Sequence, residues 1–347
     1  MARVAILAPF GPLSRRGNAV TVERVAHGLR EHGLDLRVWD ASAQDETAVV
    51  GAVEAFRPGL IHAFHARRTG LLALRLARRL EVPLVVTLTG TDANHDLFDP
   101  ESAPLVRRVL EGAATITAFH VTIVDRVTAV LPDTRQRFVV VPQAVRFGAT
   151  APFDLAARWT LPADRVLFVL PAGIRRVKAP RTPLVPLDSL AAADPRVRLA
   201  YVGPVLEPAE GEALLRELES RPWARHLGSV PHTQMASLLA QADVVLNCSV
   251  SEGGMANSVL EGLAVRRAVL ASDIPANRTL ITHDVTGLLY RDAGELGVLA
   301  ARLARDPALR ARLGTAGRAL VEREFPASRE TDGYWGVYRR LLVVVSA

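Results

Sequence analysis

Lys178 is the single lysine of the chain, and all the other residues among its 42 Lys and Arg are arginine. It lies in the stretch AGIRRVK, three residues after Arg175 and shortly after an apolar run. Arginine presents a wide planar fork, whereas the lysine ammonium is a compact point charge that reaches a single phosphate oxygen. A lysine retained among arginines therefore favours a phosphate site with a narrow approach, with chance retention as the alternative.

Two glutamates flank a pair of glycines in the stretch SEGGMANSVLE. The pattern after the glycines predicts a helix that begins near Ala256 or Asn257 and carries Glu261 in its first turns. Amides at a helix start attract anions, and a carboxylate in such a place accepts both hydroxyls of a ribose. Glu252, before the turn, adds acceptor capacity that suits a polyhydroxyl ligand. Alternatively, Glu261 caps the helix or pairs with Arg266 at the surface.

Two histidines lie three residues apart in LIHAFHARRTG, with His62 inside the strand-like run and His65 at its end, beside Arg67 and Arg68. The strand pattern predicts that His62 is buried. His65 beside two arginines suits an anionic or hydroxylic group of a substrate. The stretch offers no third ligand for zinc, so we expect no metal site here.

Two further candidates follow apolar runs. TLTGTDANHD places Asp92 directly after a strand, where it either accepts a substrate hydroxyl or caps the next helix. RRGNAVTVER places Gly17 and Asn18 at a helix start, whose first amides face a ligand unless the segment is an ordinary capped loop. The G-x-G-x-x-G spacing is absent there, which disfavours a nicotinamide enzyme.

These candidates are positioned by an alternation of short apolar runs and amphipathic segments. VAILAPF, LDLRVWD and LIHAFH are typical of strands, and TVERVAHGLREHG and ETAVVGAVEAF between them of helices; the alternation resumes at VLFVLPAG. Such alternation predicts parallel sheets whose loops bind ligands at the carboxyl ends of the strands. We therefore predict an α/β protein with two Rossmann-like parallel-sheet domains that face a central cleft. Their expected limits are 1–150 and 151–327, with a C-terminal helix at about 328–347 packing back on the first domain.

Composition narrows the function classes. The chain of 347 residues has a net charge of +6, but acids are interspersed and only 5% of residues are aromatic, which disfavours a nucleic-acid partner. The apolar runs are too short to cross a bilayer, and the N-terminus lacks the pattern of a secretory signal. The single cysteine, Cys248, excludes an internal disulfide and fits a reducing compartment. We expect a cytoplasmic protein without a transmembrane segment, either a monomer or a homodimer.

The order of these motifs is similar to that of a known family. AGIRRVK, YVGP, LGSVPHTQMASLLAQADVVLNCSVSEGG and VTGLLY resemble the nucleotide-sugar domain of family-4 retaining glycosyltransferases, which have the GT-B fold. The first half, with RRGNAVTVERV and TGTDANHD, resembles the glycosyltransferase 1 domain-containing protein 1 group more narrowly. HARRTG together with LTGTD is also similar to bacterial selenosugar synthases.

The resemblance implies roles for individual residues. Arg175 and Lys178 match the pair that holds the donor diphosphate. Glu252 and Glu261 match the glutamates of the E-x7-E motif, the first contacting the donor sugar and the second the ribose. Eight residues separate them here, one more than in the family, and we expect the Gly-Gly turn to absorb the insertion as a bulge. The other expected donor contacts are Gly17, Asn18, Gly173, Gly253, Gly254, Met255, Ala256 and Asn257. The catalytic candidates are Arg175, Lys178, Glu252, His65 and Asp92.

The resemblance implies a retaining transferase that moves a hexosyl or N-acetylhexosaminyl group from a nucleoside-diphosphate sugar, expected to be a UDP-sugar, to a small-molecule or glycan acceptor. Because side chains and amides neutralise the diphosphate, we expect neither a metal nor a cofactor. Three alternatives stay open. They are a selenosugar synthase, favoured by the Arg67–Arg68 pair; a sugar-nucleotide epimerase, which needs further carboxylates; and a non-catalytic nucleotide-sugar binding protein.

Overall fold

The computed structural model describes residues 2–11, 17–42 and 45–344, with side chains as far as residue 342. The chain forms two compact units. The first unit comprises Met1–Ala144, Glu252–Gly254 and Pro326–Ala347, and the second comprises Val145–Ser251 and Met255–Phe325. Relative to the predicted limits, the first unit ends earlier, at Ala144, and also includes Glu252–Gly254, named the glycine segment below.

The first unit is built on one parallel sheet. Its strands are β1 (Arg3–Ala8), β2 (Asp35–Asp40), β3 (Leu60–Phe64), β4 (Leu84–Thr87), β5 (Thr115–Ala118) and β6 (Phe138–Val140). Its helices begin with α1 (Gly17–Glu31), α2 (Glu46–Phe56), α3 (Gly70–Leu80), α4 (Ala103–Gly112) and α5 (Val121–Thr128), with a π-helical turn at Asp92–Asp96 and a 3-10 turn at Pro132–Arg137. The strand order is β2-β1-β3-β4-β5-β6, so the order reverses between β1 and β3.

The second unit repeats this plan. Its strands are β7 (Val166–Pro171), β8 (Val197–Val202), β9 (Ala224–His226), β10 (Val244–Asn247), β11 (Ala268–Ser272) and β12 (Leu288–Tyr290). Its helices are α6 (Leu184–Ala193), α7 (Pro208–Glu219), α8 (His232–Leu239), α9 (Asn257–Ala264), α10 (Pro275–Arg278), α11 (Ala293–Arg305) and α12 (Pro307–Glu324), with a 3-10 turn at Arg176–Lys178. The order β12-β11-β10-β7-β8-β9 reverses between β7 and β10, where open parallel sheets bind ligands.

The central strands are buried on both faces, as the near-continuous apolar runs predict. In β1, Val4 and Ile6 join the cluster that contains α1, whereas Ala5 and Leu7 join the cluster that contains α3 and α4. Helices therefore cover each face of the sheet, and the carboxyl ends of the strands are left for the loops. Among the helices of the described residues, none combines the length and the apolar character needed to cross a bilayer.

The last helix, α13 (Ala327–Val344), packs on α1 and β3 within the first unit. Arg24 and Glu330 form a buried bidentate ion pair with N···O distances of 2.6 and 2.9 Å. Removing either partner would leave an uncompensated buried charge, which is costly. The pair therefore fixes how α13 docks on α1.

His62 lies within β3 and is completely buried, as the strand pattern predicts. Its Nδ1 lies 2.5 Å from the Tyr338 hydroxyl of α13, and its Nε2 lies 2.6 Å from the Thr87 hydroxyl of β4. Burial lowers the pKa of His62 from 6.5 to about 3, so the ring is neutral in the folded protein. His62 is thus a structural group that joins two strands to α13.

Two boundaries in the second unit follow from local chemistry. The segment 293–324 is divided into α11 and α12, because Asp306 caps α12 through the Leu309 amide and Pro307 occupies its first turn. Strand β9 ends at His226, and the chain turns at Gly228, where φ is +75°.

Candidate functional site

A loop with two cations follows β7 in the second unit. Gly173 lies between the strand and the 3-10 turn, Arg175 precedes that turn and Lys178 ends it. The Val177 carbonyl accepts a 2.9 Å hydrogen bond from the Val250 amide, which joins this loop to the loop that follows β10. The Arg175 Nε is buried and has no hydrogen-bond partner among the described residues. Buried donors are normally hydrogen-bonded, so the described residues supply no acceptor for this part of the Arg175 guanidinium.

Helix α9 begins at Asn257, within the range that the sequence predicts. Its N-cap is Ala256, which makes no side-chain cap hydrogen bond, and the side chains of Met255 and Ala256 are buried. The N-cap residue thus supplies no side-chain acceptor, and the positive end of the helix dipole attracts an anion. Glu261 lies in the second turn, and its side chain is only 11% exposed.

Glu261 is bonded to a residue that the sequence analysis does not single out. The His232 Nε2 lies 3.0 Å from the Glu261 Oε1, and the His232 ring stacks on Phe147 with a centroid distance of 6.0 Å and an interplanar angle of 22°. The contacts do not favour the alternative in which Glu261 pairs with Arg266 at the surface, because Glu261 is largely buried and bonded to His232, whereas Arg266 is exposed.

A polar network holds the loops around α9. The Asn247 side chain accepts hydrogen bonds from the Ser249 amide (3.2 Å) and the Asn277 Nδ2 (3.1 Å), and donates one to the Ser258 hydroxyl (3.2 Å). Asn277 also donates to the Ser272 carbonyl at 2.9 Å. These bonds connect the carboxyl ends of β10 and β11 to the start of α9, so the helix start has a fixed place in the second unit.

In the first unit, Asp92 opens the π-helical turn and is completely buried. Its carboxylate accepts hydrogen bonds from the backbone amides of Ala66 (2.9 Å), Thr89 (3.1 Å), Gly90 (2.8 Å) and Ala93 (3.1 Å). Backbone amides therefore use most of the acceptor capacity of this carboxylate. These contacts favour the capping alternative for Asp92, and its role as a catalytic candidate stays a prediction.

His65 is 2% exposed and has a left-handed backbone with φ of +81°, which is uncommon for a residue with a side chain. Its Nδ1 accepts a long hydrogen bond from the Arg68 amide (3.4 Å), and its Nε2 lies 2.8 Å from the Thr91 hydroxyl. His65 therefore contacts the loop after β4, and its role in binding a substrate group stays a prediction.

The arginines beside His65 also have partners. Arg67 forms an ion pair with Asp96 at 3.0 Å, and the Arg68 guanidinium lies over the Phe10 ring, 5.1 Å from its centroid. Arg67 is thus paired with a carboxylate, whereas the charge of Arg68 has an aromatic ring as its neighbour. Gly17 is the first residue of α1, and the Asn18 Nδ2 donates to the Thr89 hydroxyl at 3.1 Å.

The glycine segment is held by the loop after β4. The Glu252 carbonyl accepts a 2.7 Å hydrogen bond from the Asn94 Nδ2, and a Cβ on Gly253 would lie 2.1 Å from the Gly90 Cα. Gly254 has φ of +143°, a conformation that side chains disfavour. Two of the eight residues between the glutamates thus lie in backbone that requires glycine, and the bulge stays a prediction.

The structure groups the predicted residues at two sheet edges. Gly173, Arg175, Lys178, Met255, Ala256, Asn257 and Glu261 lie at the carboxyl edge of the second sheet. Gly17, Asn18, His65, Asp92 and the glycine segment lie at that of the first. The described residues contain no group of three or more His, Cys, Asp and Glu that would hold a metal ion. Cys248 is buried, and burial raises the pKa of its thiol to about 12.

Several residues of these edges escape sequence reasoning. Asn94, Thr91 and Asn277 act through side-chain hydrogen bonds, which no spacing in the chain predicts. His232 carried a weak signal, because it follows a proline at a predicted helix start beside a glycine-containing turn.

Comparison with known proteins adds to this geometry. Residues 165–306 match the family described as Glycosyl transferases group 1. A Xenopus tropicalis protein named glycosyltransferase 1 domain-containing protein 1 is 27% identical over 326 residues, covering 92% of each chain.

Solved structures share the fold over nearly the full length. Sucrose-phosphate synthase from Thermosynechococcus elongatus is similar with a TM-score of 0.79 and 18% identity, covering 99% of this chain and 100% of that one. Anabaena Alr3699/HepE, solved in complex with UDP-glucose, has a TM-score of 0.75 and 16% identity, covering 98% and 100%. The chain therefore has the GT-B fold, and its residues 165–306 are similar to the glycosyl transferases group 1 family.

Proposed function

We propose that this protein is a retaining glycosyltransferase that takes its sugar from a nucleoside diphosphate, with UDP as the nucleotide. The observation that carries the proposal is the loop of Arg175 and Lys178, which is bonded to the loop after β10 and contains a buried guanidinium nitrogen without a partner among the described residues. This loop lies within the matched domain. Alr3699/HepE, which has the same fold, is a UDP-glucose complex.

The proposed reaction needs little beyond charge stabilisation and positioning. The bond between the anomeric carbon and the phosphate oxygen breaks, and the diphosphate gains negative charge that Arg175, Lys178 and the start of α9 stabilise. The acceptor oxygen bonds to the anomeric carbon on the face from which the phosphate departs. The departing phosphate oxygen lies on that same face and takes the proton of the acceptor hydroxyl, so no nucleophile of the protein is required.

The remaining donor contacts follow from the resemblance to family-4 enzymes. Glu261 accepts the ribose hydroxyls, Glu252 contacts the donor sugar, and the amides of Gly253 to Asn257 contact the sugar or the phosphates. The transferred group is a hexosyl or N-acetylhexosaminyl unit, and the acceptor is a small molecule or a glycan. The reaction takes place in the cytoplasm, where the single thiol stays reduced.

We further propose that turnover needs no divalent metal, because two side-chain cations and a helix start neutralise the diphosphate. Protein treated with EDTA should keep the full rate of donor hydrolysis and of transfer. Loss of both activities with EDTA, and recovery of both with magnesium or manganese, would contradict this proposal.

The proposal is tested with a panel of nucleotide sugars. The protein is incubated with UDP-glucose, UDP-N-acetylglucosamine and GDP-mannose, each with and without a mixture of candidate acceptors, and products are identified by mass spectrometry. We expect nucleoside diphosphate release from a UDP-sugar and a mass increase of one sugar in an acceptor, with both lost in Lys178→Ala. Binding of UDP without any turnover would make the protein a nucleotide-sugar binding protein and contradict the enzymatic assignment.

A further inference from the structure

His232 is the first residue of α8, and its Nε2 lies 3.0 Å from the Glu261 Oε1. Among the described side chains, this is the one hydrogen bond resolved to the Glu261 carboxylate. An ionised carboxylate only accepts hydrogen bonds, so the His232 Nε2 is the donor. The Glu261 side chain is 11% exposed and that of His232 is 32% exposed. The contact is therefore partly shielded from water, and its geometry matters more than that of a surface pair.

The imidazole is itself held in place. Phe147 stacks on it at 6.0 Å with an interplanar angle of 22°, and His232 follows Pro231, whose fixed φ limits the backbone there. Phe147, His232 and Glu261 come from three separate segments of the second unit, namely the segment after Val145, α8 and α9. The Phe147 ring thus stacks on the His232 imidazole, which in turn hydrogen-bonds the Glu261 carboxylate.

An imidazole suits this task better than an arginine, because its Nε2 donates a single hydrogen bond to Oε1 and leaves the rest of the carboxylate open. The Oε2 atom and the second lone pair of Oε1 are then available to accept from two adjacent hydroxyls. Residues that hydrogen-bond the ligands of a metal ion orient those ligands. A hydrogen bond to a carboxylate that binds a ribose can orient it in the same way.

We propose that His232 is a positioning residue that orients the Glu261 carboxylate toward the two vicinal hydroxyls of a ribose, with Phe147 fixing the imidazole plane. The inference rests on the proposed function. It also specifies the ligand class, because a carboxylate oriented toward two hydroxyls discriminates ribonucleotides from 2′-deoxyribonucleotides.

The test compares UDP with 2′-deoxy-UDP by calorimetry in the full-length protein. We expect wild type to bind UDP about tenfold more tightly, which corresponds to one charge-assisted hydrogen bond of about 1.4 kcal/mol. His232→Ala should weaken UDP binding by about fivefold while changing 2′-deoxy-UDP binding less, so that the preference for ribose falls. With a UDP-sugar, KM should rise while kcat changes little.

Two further variants separate positioning from loss of structure. His232→Gln keeps an N–H donor near the position of Nε2 and should restore most of the ribose preference, and Phe147→Leu should lower the preference by a smaller factor than His232→Ala. The matched control is His27→Ala, because His27 and Glu31 form an exposed histidine–glutamate pair at 3.3 Å in the first unit. This control should leave both affinities unchanged.

The outcomes distinguish the inference from the function on which it rests. If wild type binds neither UDP nor any UDP-sugar, the proposed function fails. If wild type binds UDP and Glu261→Ala abolishes the ribose preference, but His232→Ala and Phe147→Leu retain it, the proposed function stands and the positioning role of His232 is wrong. Should His232→Ala fail to fold, His232→Gln and Phe147→Leu decide the matter in the same way.

Discussion

The carboxyl edges of the two sheets use polar residues in opposite ways. At the first edge, the Asp92 carboxylate accepts from four backbone amides, and the His65 ring nitrogens contact its own loop and the loop after β4. At the second edge, Arg175 keeps a buried nitrogen without a partner among the described residues, and Glu261 has one oxygen bonded to the His232 imidazole. Among the described residues, Asp92 and His65 thus bond within the fold, whereas Arg175 and Glu261 keep hydrogen-bonding capacity.

This difference shows how residues of similar type can be assigned. A buried carboxylate or imidazole whose hydrogen-bonding capacity is used within the fold contributes stability and rigidity, and its loss should be seen in unfolding. A buried group with capacity to spare has been desolvated without compensation, which proteins tolerate chiefly at binding sites. Stability and ligand affinity should therefore respond to different substitutions at the two edges.

The largest effect should be on stability, from Asp92→Ala. Four backbone amides would lose their acceptor, and we expect the free energy of unfolding to fall by about 3–5 kcal/mol. Urea denaturation followed by circular dichroism measures the change. Asp154→Ala is the control, because its carboxylate accepts from a single exposed amide, that of Ala157. A variant that unfolds like wild type but has lost turnover would return Asp92 to the catalytic residues.

At the second edge, Lys178→Arg should reduce turnover about a hundredfold, because the wider guanidinium displaces the phosphate by about 1 Å. The melting temperature without ligand should scarcely change. Arg216→Lys is the matched exchange at an exposed position of α7, and it should have no effect. An exchange at Arg312 would not serve as this control, because the Arg312 side chain hydrogen-bonds Asp284. Wild-type turnover in Lys178→Arg would mean that the single lysine has no special role.

Glu261→Ala should give a smaller loss, confined to binding. Removing a charge-assisted acceptor of the ribose should weaken UDP affinity by about 1–3 kcal/mol, as measured by calorimetry. Stability should change far less than in Asp92→Ala, because Glu261 has one polar partner to lose among the contacts resolved here. If UDP and GDP both bind as they do to wild type, Glu261 does not contact the ribose, and the distinction between the two edges fails at this residue.

The sequence was sufficient for the fold, since strand and helix periods and the restart of the alternation at VLFVLPAG predict two parallel sheets. It also predicted the placement of Arg175, Lys178 and Glu261, because loops after strands meet at one edge of a parallel sheet. The start of α9 is also predicted, because the glycines and the apolar pattern that follows them mark it.

The remaining features depend on contacts that periodicity does not encode. His65 and Asp92 were assigned to substrate because they follow strands, but the sequence does not tell whether a polar group at that place bonds to ligand or to its own loop. The bonds from Asn94 to the glycine segment and from His232 to Glu261 join residues distant in the chain. Such pairings become visible only once the loops have been placed in three dimensions.

The smallest expected effect is the pH dependence of stability that the buried His62 gives to the first unit. Burial lowers the pKa of His62 to about 3, whereas the ring has its ordinary pKa of 6.5 once the chain unfolds. Below pH 6.5 the unfolded chain therefore takes up a proton that the folded protein does not, and the free energy of unfolding falls as the pH falls toward 3. Between pH 7.5 and 5.5 this contribution amounts to about 1.4 kcal/mol.

The measurement is urea denaturation of wild type and of His62→Gln, which keeps polar atoms near Tyr338 and Thr87 but does not titrate. Carboxylates contribute equally to both proteins, so the difference between the two pH dependences isolates the histidine. Parallel curves for the two proteins would show that His62 is not held neutral, and that the first unit tolerates a charge at the centre of its sheet.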